Sequence, residues 1–71
     1  MKEKKQKFSA REIDVLKLIS EGFMDKEIAE ELKITWQSVR YDIAKLLMKT
    51  SSVNRPHLVN WAYKNGVLKI K

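Results

Sequence analysis

The sequence predicts an all-α domain, a four-helix bundle with helices at about residues 9–21, 25–33, 36–50 and 55–65. Three observations lead there. Apolar residues recur at spacings of three and four along most of the chain. No stretch sustains the apolar/polar alternation of a strand, and the turn formers are few, with two glycines and one proline. Side chains that cap helices stand directly ahead of the apolar runs.

At 71 residues the chain makes one small domain, which buries roughly 60% of the surface its unfolded form exposes. With no cysteine and a single histidine, His57, it offers no disulfide, thiolate site or histidine cluster to supplement a thin core. No cofactor or metal is expected. No apolar run approaches a membrane span, and the opening MKEKKQK is too polar for a secretion signal, so a cytoplasmic protein is expected.

Ser9 precedes AREIDVLKLISEG, with Glu12 three residues on in capping-box position and Ile13, Leu16 and Ile19 at helical spacing. Gly22 offers the left-handed turn that closes this helix. In MDKEIAEELK, Asp25 is a cap or first-turn acid; Ile28, Ala29 and Leu32 share a face, with Glu27, Glu30 and Glu31 outside. After a brief turn ending at Ile34, Thr35 caps a third helix whose buried line is Val39, Ile43, Leu46 and Thr50. The polar run TSSVNR breaks the pattern, Pro56 suits a first helical turn, and PHLVNWAYKNG gives a fourth helix closed by Gly66.

The net charge of +6 is unevenly spread: +3 over residues 1–7, −3 over 8–35 and +6 over 36–71. The first segment reads as a basic flexible tail and the rest as the domain. A basic second half on a folded domain suits a polyanion, because cations that neutralise phosphates release condensed counterions.

Two helices joined by so tight a turn, the second amphipathic and basic outside, suggest a helix-turn-helix. At about 100° per residue with Trp36 as zero, Val39, Ile43, Leu46 and Thr50 cluster between roughly 280° and 340°. The opposite arc holds Gln37, Tyr41, Ala44 and Met48, with Arg40 on one shoulder and Ser38 and Lys45 on the other. Such a face suits a major groove. Gln pairs with the polar edge of adenine, Arg makes a bidentate bond to guanine, and a small Ala permits close approach. Trp36 lies nearer the apolar sector, where packing competes with DNA contact.

The blocks ARE, VLKLISEG, KEIAEELKIT and SVR, at these separations, resemble the LuxR/GerE-type helix-turn-helix family of transcription regulators, and the resemblance runs from Phe8 to Leu68. It implies a recognition helix in the major groove and dimerisation through the last helix. With no other domain in the chain, the short free-standing, GerE-like members are the nearest type. The sequence departs from the family pattern at Asp25 (usually Asn), Asp42 (usually His), Thr50 (usually Leu) and Val53, which stands one position late. Asp42 bears most on function, since an acid close to phosphate is repelled; an intrahelical pair with Lys45 or Lys49 is the expected remedy.

By position, Gln37, Arg40, Tyr41 and Ala44 are the expected base contacts. Lys26, Thr35, Ser38 and Lys45 are the expected phosphate contacts, helped by helix N-termini. Arg55 matches a family arginine, for which an ion pair with Glu12 is expected. On the fourth helix Leu58, Val59 and Ala62 complete the core, leaving His57, Asn60, Trp61 and Lys64 as the expected dimer interface, with Trp61 as an exposed anchor. The alternative for Trp61 is a return onto Val67 and Leu68.

The expected partners are double-stranded DNA, a second copy of the chain and RNA polymerase or a regulatory protein. The competing readings are a sigma-factor-like promoter module and a protein-interaction antagonist that has lost DNA binding. An enzyme is not expected: the sequence has no nucleophile with a base, paired carboxylates or phosphate-cradling glycine loop.

Overall fold

The computed structural model describes residues 8–69; the basic segment 1–7 lies outside the described residues. The helices are α1 (Ala10–Ser20), α2 (Asp25–Leu32), α3 (Trp36–Thr50) and α4 (Arg55–Lys64), and among the described residues there is no strand. The four predicted helices are all present, with ends within a residue or so of expectation.

α3 is the central element, packing on each of the other three helices. Val39, Ile43 and Leu46 enter the core from α3, Val15 and Leu16 from α1, Ile28 and Ala29 from α2, Leu58 and Ala62 from α4, and Leu68 from the C-terminal segment. The outward face of α3 is therefore rigidly aimed, because its opposite side is clamped by three helices.

Local chemistry sets the helix ends. Ser9 Oγ accepts from the Glu12 amide and a Glu12 carboxylate oxygen accepts from the Ser9 amide, both at 3.0 Å, so the predicted capping box closes reciprocally. α2 begins differently. Met24 is its N-cap and Asp25 its first residue; the Met24 amide donates to Glu27 Oε1 at 2.8 Å, without a side-chain cap in return. Thr35 and Asn54 cap α3 and α4 as side-chain acceptors.

All four helices close with one residue of positive φ: Gly22 (91°), Lys33 (58°), Ser51 (55°) and Gly66 (77°). The next amide reaches back to a carbonyl five residues earlier, as in Phe23 to Leu18 at 3.0 Å, Ile34 to Ala29 at 3.0 Å, Ser52 to Leu47 at 2.9 Å and Val67 to Ala62 at 2.9 Å. A Cβ at Gly22 meets nothing within 4 Å, so Gly22→Ala is a purely conformational change. Its expected cost is about 1 kcal/mol, read as a lower urea midpoint at unchanged m-value.

Candidate nucleic-acid interface

The connection from α2 to α3 is Lys33 to Thr35, and its geometry follows from two residues. Lys33 in the left-handed region turns the chain sharply, and Thr35 starts the next helix at once. Thr35 Oγ1 accepts from the Ser38 amide at 3.2 Å and donates to Ser38 Oγ at 3.0 Å. A shallow groove beside the start of α3 brings Lys26 of α2 together with Thr35, Trp36 and Gln37, joining residues that are separated in sequence.

Gln37, Arg40 and Ala44 are exposed on the outward face of α3, as are Tyr41 at 63% and Met48 at 80%. Two aromatic and cation pairs run along this helix at a spacing of four. Arg40 lies over the Trp36 ring at 5.6 Å and Lys45 over the Tyr41 ring at 5.5 Å. Trp36 keeps 46% of its surface exposed, so it is not a core-seam residue despite its place near the apolar sector.

Lys45 is also drawn inward. Its ammonium lies 3.4 Å from Glu12 Oε2, while Lys49 bonds the other oxygen at 2.9 Å and lies over the Phe8 ring. Burial of Glu12 is the largest influence on its carboxyl and opposes ionisation. The Ser9 amide, Lys49 and Lys45 together outweigh it and hold the carboxyl below its ordinary range. One buried carboxylate thus caps α1 and anchors two cations of α3.

Residues 6–62 match the family described as bacterial regulatory proteins, luxR family. The chain belongs to that family. Its membership is of a DNA-binding, transcription-regulating kind. Response regulator Rre1 of Synechocystis is 40% identical over 60 residues, covering 84% of this chain and 26% of that protein. The probable transcriptional regulator ycf29 of Cyanophora paradoxa is 38% identical over 86% of this chain and 29% of its own length. The oxygen regulatory protein NreC of Staphylococcus carnosus is 35% identical over 84% of this chain and 28% of its own. The chain therefore spans little more than a quarter of the length of these relatives.

The departures of this LuxR-family domain from the family pattern each have a structural counterpart. Asp42 is 3% exposed and faces α1, where its two oxygens take Arg11 Nε at 2.7 Å and an Arg11 terminal nitrogen at 3.1 Å. The expected intrahelical pair with Lys45 or Lys49 is thus replaced by a bidentate pair between helices. The buried sector of α3 is wider than its apolar line, and both lysines are already committed to Glu12. Asp42 raises the Arg11 guanidinium above its ordinary value, first through the hydrogen bond and then through charge. An acid held this way is buried in the seam between α1 and α3 and is not part of the outward face of α3.

Asp25 bears on Arg55, which pairs with it at 2.7 Å and not with Glu12 as expected. The Arg55 side chain, at the start of α4, reaches across to the start of α2, whereas Glu12 faces the later turns of α3. Thr50 is 7% exposed, and its hydroxyl donates to the Leu46 carbonyl at 2.9 Å, so the polar atom is satisfied inside the core. Val53 is 80% exposed.

On α4 of this LuxR-family domain, Leu58 and Ala62 are fully buried, while Val59 is half-buried. His57, Asn60 and Lys64 lie on the exposed side. His57 Nδ1 accepts from the Val53 amide at 3.2 Å. Trp61 differs from the expectation of an exposed anchor: it is half-buried against the core, with its ring 5.9 Å from Phe8 at an interplanar angle of 57°. Phe8, ahead of α1, occupies the side of α4 on which Trp61 projects. No helix among the described residues is long and apolar enough to cross a membrane.

Proposed function

We propose that this chain is the DNA-reading domain of a transcription regulator and that α3 enters the major groove of double-stranded DNA. Gln37, Arg40, Tyr41 and Ala44 meet base edges, while Lys26, Thr35, Ser38 and Lys45 address the phosphates on either side. The observation that carries the reading is the exposed arc of α3, where a long polar side chain, an arginine, an aromatic and an alanine lie on one face of a helix clamped from behind. The groove that sets Lys26 beside Thr35 supports a phosphate path along the start of that helix.

Two copies pair through α4 around His57, Asn60 and Lys64, with Trp61 as the apolar shoulder of the contact, and present two α3 helices to a two-fold site. The protein acts in the cytoplasm at the nucleoid, and RNA polymerase or a regulatory protein is the further partner.

Selection of bound duplexes from a random pool tests the reading directly. The expected outcome is one enriched motif with two-fold symmetry. Enrichment of a single half-site overturns the pairing, and no enrichment by a folded protein overturns base reading. Lys26→Ala is expected to weaken all duplexes alike and to lower the magnitude of the log–log salt slope by about 0.9. Lys45 is shared with Glu12, so its substitution is expected to lower that slope less than Lys26→Ala does. A loss confined to the selected site would contradict the phosphate role of Lys26.

A further inference from the structure

We propose that Trp36 is a specificity-determining positioning residue, acting through Arg40 by holding its guanidinium over the indole ring while leaving the N–H edge open to a base. The inference rests on α3 as the DNA-reading helix and assigns a role that the aromatic character of this position alone does not disclose.

The geometry begins with helix direction. Side chains lean toward the N-terminus of their helix, so the residue at i+4 lies back over the residue at i. Trp36 is the first residue of α3, and Arg40, one turn later, comes to lie with its guanidinium carbon 5.6 Å from the ring centroid. That is within the roughly 6 Å range of a cation–π contact, and tryptophan is the strongest aromatic partner for one.

What distinguishes Arg40 is the kind of partner it has. Arg11 gives its fork to Asp42 through two hydrogen bonds, and Arg55 is paired with Asp25. Lys45 and Lys49 share Glu12. Among the described residues Arg40 makes no salt bridge. A carboxylate consumes the N–H edge that guanine needs, whereas a ring attracts the cation through its π face and competes weakly for that edge. Arg40 is thus restrained without being spent.

Restraint matters because a free arginine must lose rotamer freedom when it bonds a base, and one that is already held loses less. Trp36 can supply it without serving the core. The residue remains 46% exposed beside the groove that holds Lys26 and Gln37. Tyr41 and Lys45 repeat the spacing, but Lys45 is also held by Glu12, so its ring contact is not what places it.

The test compares Trp36→Leu, which keeps apolar bulk and removes the ring, with Trp36→Phe, which keeps a ring, in the wild-type and Arg40→Ala backgrounds. Each protein is carried through selection on random duplexes, and ring-current shifts of the Arg40 side-chain protons are recorded by NMR without DNA. Trp36→Leu is expected to relax preference at the same base pair as Arg40→Ala, by roughly five- to tenfold, and to abolish the ring-current shift. Trp36→Phe is expected to retain most of both. In the Arg40→Ala background Trp36→Leu should add nothing.

Unchanged preference in Trp36→Leu overturns the proposal, and so does a loss that persists in the Arg40→Ala background, which would make Trp36 a contact in its own right. Absence of the ring-current shift in the wild type also overturns it. If the wild type selects no motif while that shift is present, the reading of α3 has failed and takes this role of Trp36 with it, a result distinguishable from the other three.

Discussion

Glu12→Ala is expected to cost the domain about 2 kcal/mol, a large part of the roughly 4–11 kcal/mol available to a chain of this size. The side chain has 4% of its surface exposed, yet it serves three partners: the Ser9 amide, Lys49 and Lys45. Removing it opens the α1 capping box, worth about 1 kcal/mol, and leaves two lysines without their shared counter-ion. Because both lysines are partly exposed, water recovers some of that loss. Glu12→Gln separates the contributions, since the amide oxygen still accepts from Ser9 while the charge is gone; its midpoint in urea should fall between wild type and Glu12→Ala.

The same residue gives a pH dependence with a definite sign. Its carboxyl is held below the ordinary range in the folded protein, so the folded state favours the ionised form. The resulting stability is complete above the unfolded value, about 4.3, and is lost as pH falls through the lower folded value. Wild type and Glu12→Gln should differ most in urea midpoint near neutrality and converge in acid. A gap that is constant down to the acid limit would show that the lysine pairs contribute nothing.

Arg40→Ala is expected to lower affinity for the selected duplex by about 1–3 kcal/mol and to relax preference at one base pair, with a smaller, uniform loss on unrelated DNA. The size follows from the absence of any other restraint on that arginine's donor edge: what it gives to a base is not shared with a carboxylate among the described residues. Circular dichroism and thermal unfolding should be close to wild type, because Arg40 is exposed and outside the core. Gln37→Ala belongs to the same test, with its effect at a different base pair. If neither variant changes base preference, the arc of α3 is not a reading surface, whatever its overall affinity for DNA.

Much of the fold and the outline of the candidate interface were legible in residue order alone. Helix positions follow from the recurrence of apolar residues, from Ser9 and Thr35, which cap amides three residues on, and from Pro56, whose fixed φ suits a first helical turn. The exposed arc of Gln37, Arg40, Tyr41 and Ala44 follows from helical periodicity for the same reason, and the pairing of Arg40 with Trp36 was accessible from their spacing of four.

The choice of ion-pair partners was not legible, since it depends on which side chains the packed helices bring within reach of one another. Asp42 lies one turn from Lys45 and two from Lys49 on its own helix yet takes Arg11, 31 residues away, because the face of α3 that carries it is covered by α1. Arg55 finds Asp25 because its long side chain spans from the start of α4 to that of α2, and Trp61 is half-buried with the Phe8 ring beside it. The positive φ at Lys33 and Ser51 also escapes the sequence, where only the glycines announce a left-handed turn. Sequence order determined what each helix presents, through local sterics and hydrogen bonds. Tertiary packing decided which charges are neutralised and which remain to meet a ligand, because electrostatic partners are chosen by proximity in space and by the water that burial removes.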